Sequence, residues 1–199
     1  MLKVSQLQVR LKKVVLDYDF SVNEGEIVTI QGRSGVGKTT LLNVIAGFES
    51  AHAGDVTWQG QSLLPMKVVQ RPVSMLFQEH NLFEHLSVWQ NLLFGLTGND
   101  LNIRIQQGAE TLEIAEQIRK SPMQLSGGQR QRVAILRTLL RPEPIVLLDE
   151  PFAELDAATR IIANEWVRDT AKASNKTVLL VTHQDEDVER VADRNIVLT

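Results

Sequence analysis

Apolar residues change their period several times along the chain, and each change marks an element. Leu2, Val4, Leu7 and Val9 alternate loosely with polar neighbours, and Leu16 to Val22 does so at period two, which predicts short strands near the start. Asn23-Glu24-Gly25-Glu26 reads as a turn. Ile27 to Ile30 is a strand that runs into the glycine-rich stretch Gly32 to Gly37. Lys38 to Ala46 has helical spacing through Leu41, Leu42 and Ile45, and Gly47 ends it. Asp55 to Trp58 and Val73 to Phe77 predict two more strands. From Ser87 to about Lys120 the pattern is helical, with Leu92, Leu93 and Leu96, then Leu112, Ala115 and Ile118; Gly95, Gly98 and Gly108 are expected to break it into pieces. Gln129 to Leu140 is a helix closed by Arg141-Pro142. Ile145 to Leu148 and Thr177 to Thr182 are continuous apolar runs of the kind buried in parallel sheets, on either side of a helix over Asp156 to Ala173. Ile196 to Leu198 is a last strand. Strands alternating with helices in the second half predict an α/β fold with a parallel sheet covered on both faces.

Composition narrows the class without deciding it. At 199 residues the chain can bury about 70% of its unfolded surface in one core. With 43% hydrophobic and 23% charged residues it is neither fibrous nor disordered. Net charge is −3, from 21 basic and 24 acidic residues, which argues against bulk binding to nucleic acid. With no cysteine there is no disulfide framework and no thiolate metal site. No apolar run reaches the roughly 20 residues of a membrane helix, and the start lacks a signal-like apolar block. The expectation is a soluble, cytoplasmic protein that reaches a membrane only through a partner.

Candidate chemistry lies at three places. Gly32-Arg33-Ser34-Gly35-Val36-Gly37-Lys38-Thr39 fits the pattern G-x-x-x-x-G-K-[ST] without a mismatch. Its glycines let successive backbone N–H groups converge on phosphate oxygens, and the helix that follows adds the positive end of its dipole. Lys38 is placed to reach the outer phosphates, and the Thr39 hydroxyl to ligate Mg²⁺; Thr40 completes the candidate cradle. Second, the apolar strand Ile145 to Leu148 ends in Asp149-Glu150 at the sheet edge where open α/β folds bind ligands. Asp149 is a candidate Mg²⁺ holder and Glu150 a candidate general base. Third, Leu125-Ser126-Gly127-Gly128-Gln129 feeds a glycine pair into a helix N-terminus. Ser126 there is either a plain N-cap or a phosphate donor.

Together these motifs resemble the ATP-binding cassette (ABC) ATPases, whose diagnostic sequence is LSGGQ. The resemblance covers nearly the whole chain. It implies a P-loop NTPase core with an N-terminal antiparallel β subdomain and a small helical insertion, about residues 87–140 of a single domain 1–199. It also implies that Gln78 is the loop glutamine that senses Mg²⁺ and the membrane partner, and that His183 touches the γ-phosphate. Glu150, His183 and Lys38 are then catalytic; Ser126, Gly127, Gly128 and Gln129 bind nucleotide; Thr39, Gln78 and Asp149 hold the metal. ATP and Mg²⁺ are the implied cofactors. Because each chain has one phosphate loop and one LSGGQ, the resemblance implies a head-to-tail, ATP-dependent homodimer with two composite sites.

Two departures stand out. Glu154-Leu155-Asp156 occupies the family's D-loop, where Ser or Ala usually stands at the position of Glu154. The usual adenine-stacking aromatic is missing from Val9-Arg10-Leu11-Lys12, which leaves the Arg10 guanidinium as a substitute platform and predicts weak base selectivity. Tyr18 lies too near the next strand to be an obvious replacement. The Arg130, Arg132 and Arg137 series is expected on a solvated or ion-paired face. His52, His80 and His85 show no ligand spacing.

The stretch Leu82 to Asn91 resembles bacterial importers, and Arg71-Pro72-Val73-Ser74-Met75-Leu76-Phe77-Gln78-Glu79 resembles the ATP-binding subunits of thiamine importers. That implies attachment to the inner face of the cell membrane through a permease that meets Gln78 to Asn91, with Phe83, Leu86 and Trp89 as apolar contacts. A periplasmic solute-binding protein would be an indirect partner, and no nucleic acid is expected. A lipoprotein-release or cell-division ATPase, or a non-transport ABC protein, are the alternative readings.

Overall fold

A computed structural model describes residues 1–11, 14–79, 82–96 and 100–199; of Leu11 only the backbone is described. Lys12, His80 and Gly98, which the sequence reading touched on, lie outside that set.

Two sheets form the frame. The first is antiparallel and built from β1 (Leu2–Leu11), β2 (Val14–Val22), β4 (Ala53–Trp58) and the short β5 (Gln61–Ser62), in the order β2-β1-β4-β5. Its first strand alternates only loosely because the register shifts between Val4 and Leu7, where Gln6 takes a φ of 45°. That bulge keeps Leu2, Val4, Leu7 and Val9 all buried on one face.

The second sheet is wholly parallel, in the order β6-β7-β8-β3-β9. Its strands are β3 (Ile27–Gly32), β6 (Val73–Leu76), β7 (Ile145–Asp149), β8 (Thr177–Val181) and β9 (Arg194–Leu198). Every residue of β7 and β8 is buried, as their unbroken apolar runs require when helices cover both faces.

The helices are α1 (Lys38–Ala46), α2 (Val88–Leu93), α3 (Leu101–Thr111), α4 (Gly127–Leu140), α5 (Ala157–Ala173) and α6 (Asp185–Val191). One core joins Val146, Leu148, Val178 and Leu180 of the parallel sheet to residues of α2, α3, α4 and α5. The other joins Ile145, Leu147, Leu179 and Val181 to α1 and the antiparallel sheet. Alternate residues of each strand thus feed opposite layers.

Several expectations need correction. Helix α4 begins at Gly127, two residues before the expected Gln129, because Ser126 is its N-cap and accepts from the Gln129 amide, while Gln129 Oε1 accepts from the Ser126 amide. Gly108 does not break the chain but lies inside α3, against Leu136. Helix α6 went unseen because its first turn is Asp185-Glu186-Asp187, which reads as a solvated turn, although acids there suit the dipole. Of the two readings of the arginine series, solvated or ion-paired, Arg132 bears out the second by pairing with Glu113 at 3.7 Å, and a solvated face does not fit. All three are half-buried: Arg130 donates to Leu125 O, Arg132 to Leu112 O and Gly128 O, and Arg137 stands over the Phe83 ring.

Candidate functional site

Strand order assembles the site. Because β8 lies between β7 and β3, the chain segments that leave those three strands emerge side by side at one sheet edge. These segments carry Asp149-Glu150, His183 and the phosphate loop. Ile30 and Asp149 both pair with Val181 of the central strand, which sets the three in register.

The loop after β3 is shaped for an anion. Gly37 takes a φ of 104°, and a Cβ there would lie 2.3 Å from the Tyr18 hydroxyl, so only glycine fits. That hydroxyl donates to Gly37 O at 2.9 Å and supports the loop from behind, and burial pushes the Tyr18 pKa up to about 12. Helix α1 has no side-chain cap and no acid in its first turn, so its leading amides stay open to a ligand. Lys38 is buried, and its Nζ donates to Gly32 O at 2.8 Å and Arg33 O at 3.1 Å. Arg33, Ser34 and Gly35 are exposed, while Val36 and Thr40 are half-buried along the same turn.

Asp149 closes β7. Burial pushes its carboxyl above the ordinary aspartate range, against the pull of the Thr39 hydroxyl bonded to it and of the Lys38 charge. Its Oδ1 is buried and has no protein partner. Glu150 turns off the strand with a φ of 50°, a left-handed conformation that costs energy in a non-glycine residue and is characteristic of functional turns. Its amide donates to Val181 O at 3.1 Å, and its Oε1 lies 2.9 Å from His183 Nε2. The carbonyl of Glu150 accepts from Gln131 of α4 at 3.1 Å, and Gln131 Oε1 accepts from the Glu154 amide at 3.3 Å. A buried glutamine therefore links α4 to the backbone at Glu150 and at Glu154.

The signature turn stands apart. No hydrogen bond or ion pair of the described residues joins Ser126–Gln129 to the loop 32–40. Its neighbour is Glu154 instead: a Cβ on Gly127 would lie 2.0 Å from Glu154 Oε2. Gln78 is exposed beyond β6 and lines a cleft with Arg130 and Glu154. Further round, Phe48 meets Phe77 edge-on at 5.2 Å and Phe83 meets Phe94 at 4.9 Å, across a groove whose wall includes Val69, 90% exposed. Leu86 and Trp89 do not line it, and Trp89 packs on the core.

The ABC transporter family profile matches residues 15–153, a span that takes in the phosphate loop, LSGGQ and both acids. The chain belongs to the ABC transporter family. As an ATP-binding cassette it shares the family's chemistry, ATP binding and hydrolysis. It is 44% identical to the thiamine import ATP-binding protein ThiQ of Escherichia coli K12, over 100% of this chain and 88% of that one. The ThiQ protein of Photorhabdus laumondii is 41% identical, over 100% and 86%. Among solved structures, the dimeric bacterial ABC transporter cassette MJ0796 superposes with a TM-score of 0.85 at 29% identity, covering 100% of this chain and 94% of that one. The same cassette is known in a post-hydrolysis state bound to ADP and Pi, with the same score.

Tyr18 and Gln131 are the cassette residues that sequence reasoning missed. A tyrosine on a strand and a glutamine inside a helix carry no spacing signal, since each acts by hydrogen bonding to a backbone far away in sequence.

Proposed function

We propose that the chain is the ATP-hydrolysing subunit of a thiamine importer, one catalytic unit over 1–199 with residues 87–140 as its helical part. Identity of 41–44% to ThiQ proteins over the full chain supports the substrate. The observation that carries the hydrolytic reading is the Glu150–His183 pair, 2.9 Å apart, beside an open helix N-terminus.

Triphosphate oxygens take the amides of Gly35 to Thr40, and Lys38 leaves the Gly32 and Arg33 carbonyls for the β- and γ-phosphates. Thr39, Asp149 and Gln78 would hold Mg²⁺, and the partnerless buried Oδ1 of Asp149 suits a hard cation. When bound, the ion neutralises charge on the phosphates. Glu150 accepts a proton from the water that attacks the γ-phosphorus, and the β–γ bridging oxygen leaves with ADP. His183 orients Glu150 and contacts the γ-phosphate. Ser126 to Gln129 of a second copy would complete each site. ATP therefore closes a two-fold dimer, and hydrolysis releases it.

The apolar groove between Phe48, Phe77, Phe83 and Phe94 is the seat we assign to the permease, at the inner face of the membrane. It widens the expected 78–91 contact region. Among the described residues no helix is long and apolar enough to cross a membrane.

The test is ATPase activity of the subunit reconstituted with its permease and solute-binding protein. Thiamine should stimulate turnover, and Glu150→Gln should cut it by about 10²–10⁴-fold with nucleotide still bound. Stimulation by another solute overturns the substrate, and undiminished turnover in the variant overturns the base.

A further inference from the structure

The turn that carries His183 is held from behind by a buried charge. Asp187, 1% exposed, lies in the first turn of α6. Its Oδ2 accepts from the Thr182 hydroxyl at 2.5 Å, and the same hydroxyl accepts from the Gln184 amide at 3.1 Å. The residue spanned by those two bonds is His183. On its other side Asp187 Oδ1 accepts from Asn164 Nδ2 at 3.0 Å and pairs with Arg160 Nε at 3.1 Å, off the line of a hydrogen bond. Both partners sit on α5. The N-cap of that helix is Asp156, which accepts from the Ala158 and Thr159 amides and follows directly on Glu154-Leu155.

A buried carboxylate paired with an arginine adds little to stability over an apolar residue of the same shape. Its place here, behind the histidine that touches Glu150, calls for a role beyond packing. We infer that Asp187 is a positioning residue for hydrolysis. Through Thr182 it fixes the backbone that aims His183 at Glu150. Through Arg160 and Asn164 it ties that aim to the N-terminal turns of α5, and so to the segment 154–156 that leads into them. A shift of that segment therefore moves the histidine. This inference rests on the reading of Glu150 and His183 given above.

The test compares Thr182→Val, Asp187→Asn and Thr182→Ser with the unaltered protein in steady-state ATPase kinetics and thermal melts. Because a displacement of about 1 Å can cost about a hundredfold in rate, the first two variants should lose tenfold or more in kcat. KM for ATP should stay within about twofold, since the phosphate loop is untouched. Thr182→Ser keeps the hydroxyl and should restore kcat. Should Asp187→Asn fail to fold, the Thr182 pair decides alone. Normal kcat in folded Thr182→Val, or a Thr182→Ser variant as slow as the valine, overturns the inference. His183→Ala in the same assay separates the two failures: if it turns over normally, the role given to His183 falls, whereas if it is dead while Thr182→Val is normal, only the positioning role falls.

Discussion

Asp149 is where binding and stability pull against each other. Its buried Oδ1 meets no donor, and burial raises the carboxyl above its unfolded value. The folded state therefore binds this proton more readily than the unfolded one, and the contribution of Asp149 to stability is lost as pH rises from the ordinary aspartate value through the higher folded one. At neutral pH the ionised side chain is a cost, offset only when a cation and nucleotide arrive. Asp149→Asn should accordingly melt higher in nucleotide-free buffer, by about 0.5–2 kcal/mol, which is roughly 2–4 °C per kcal/mol for a chain of this size. ATPase activity should fall below detection in the same preparation. A melt lower than that of the unaltered protein would contradict the argument. The acid itself was legible, because an apolar strand ending in Asp-Glu is a local pattern. The Tyr18 hydroxyl under Gly37 was not, since it is a contact between residues 19 apart on different elements.

Gly108 shows the same boundary for whole elements. Read along the chain, a glycine in a helical stretch marks a break, because glycine costs about 1 kcal/mol relative to alanine. In the folded protein it sits inside α3, where a Cβ would lie 2.4 Å from Leu136 Cδ1 and 3.2 Å from Trp166 Cζ2. Leu136 is fully buried, so its methyl group can give way only within packed surroundings. Crowding by about 1–3 kcal/mol outweighs the propensity gain, so Gly108→Ala should lower the urea midpoint with its slope unchanged. A raised midpoint would mean that α3 and α4 separate freely. Strands and most helices were legible because period and caps are local, as at Ser126 and Gly47. The arginines on α4 were legible as an ion-paired face at Arg132, which meets Glu113, but their bonds to carbonyls such as Leu112 O, 20 residues away, were not, since no periodicity records them.

At the scale of the molecule, Asp193 joins pieces that are distant in sequence. It accepts from the Ile27 amide at 2.9 Å at the start of β3, pairs with Arg168 at 3.1 Å and with Lys172 on α5, and precedes β9. Arg168 also donates to Val191 O and Lys172 to Gly25 O, so the cluster ties together both ends of the segment that brings β9 beside β3. Burial alone would raise the Asp193 carboxyl. The hydrogen bonds from Lys172 and Ile27 and the charges of Lys172 and Arg168 outweigh it and hold the group below the usual aspartate range. A depressed carboxyl contributes stability that is present above its unfolded pKa, about 3.9, and is lost as pH falls through the lower folded value. Asp149, shifted the other way, is relieved of its charge as the solution becomes acid, so it cannot be the source of acid lability. Asp193→Asn should therefore cost about 1 kcal/mol at pH 7, discounted for partial exposure, and should flatten the fall of Tm between about pH 5 and pH 2. Melts at half-unit steps of pH decide it. A variant whose Tm falls as steeply with acid as the unaltered protein would place the lability elsewhere, with Glu26, which pairs with Arg194 at 2.8 Å on the neighbouring strand, next to be changed.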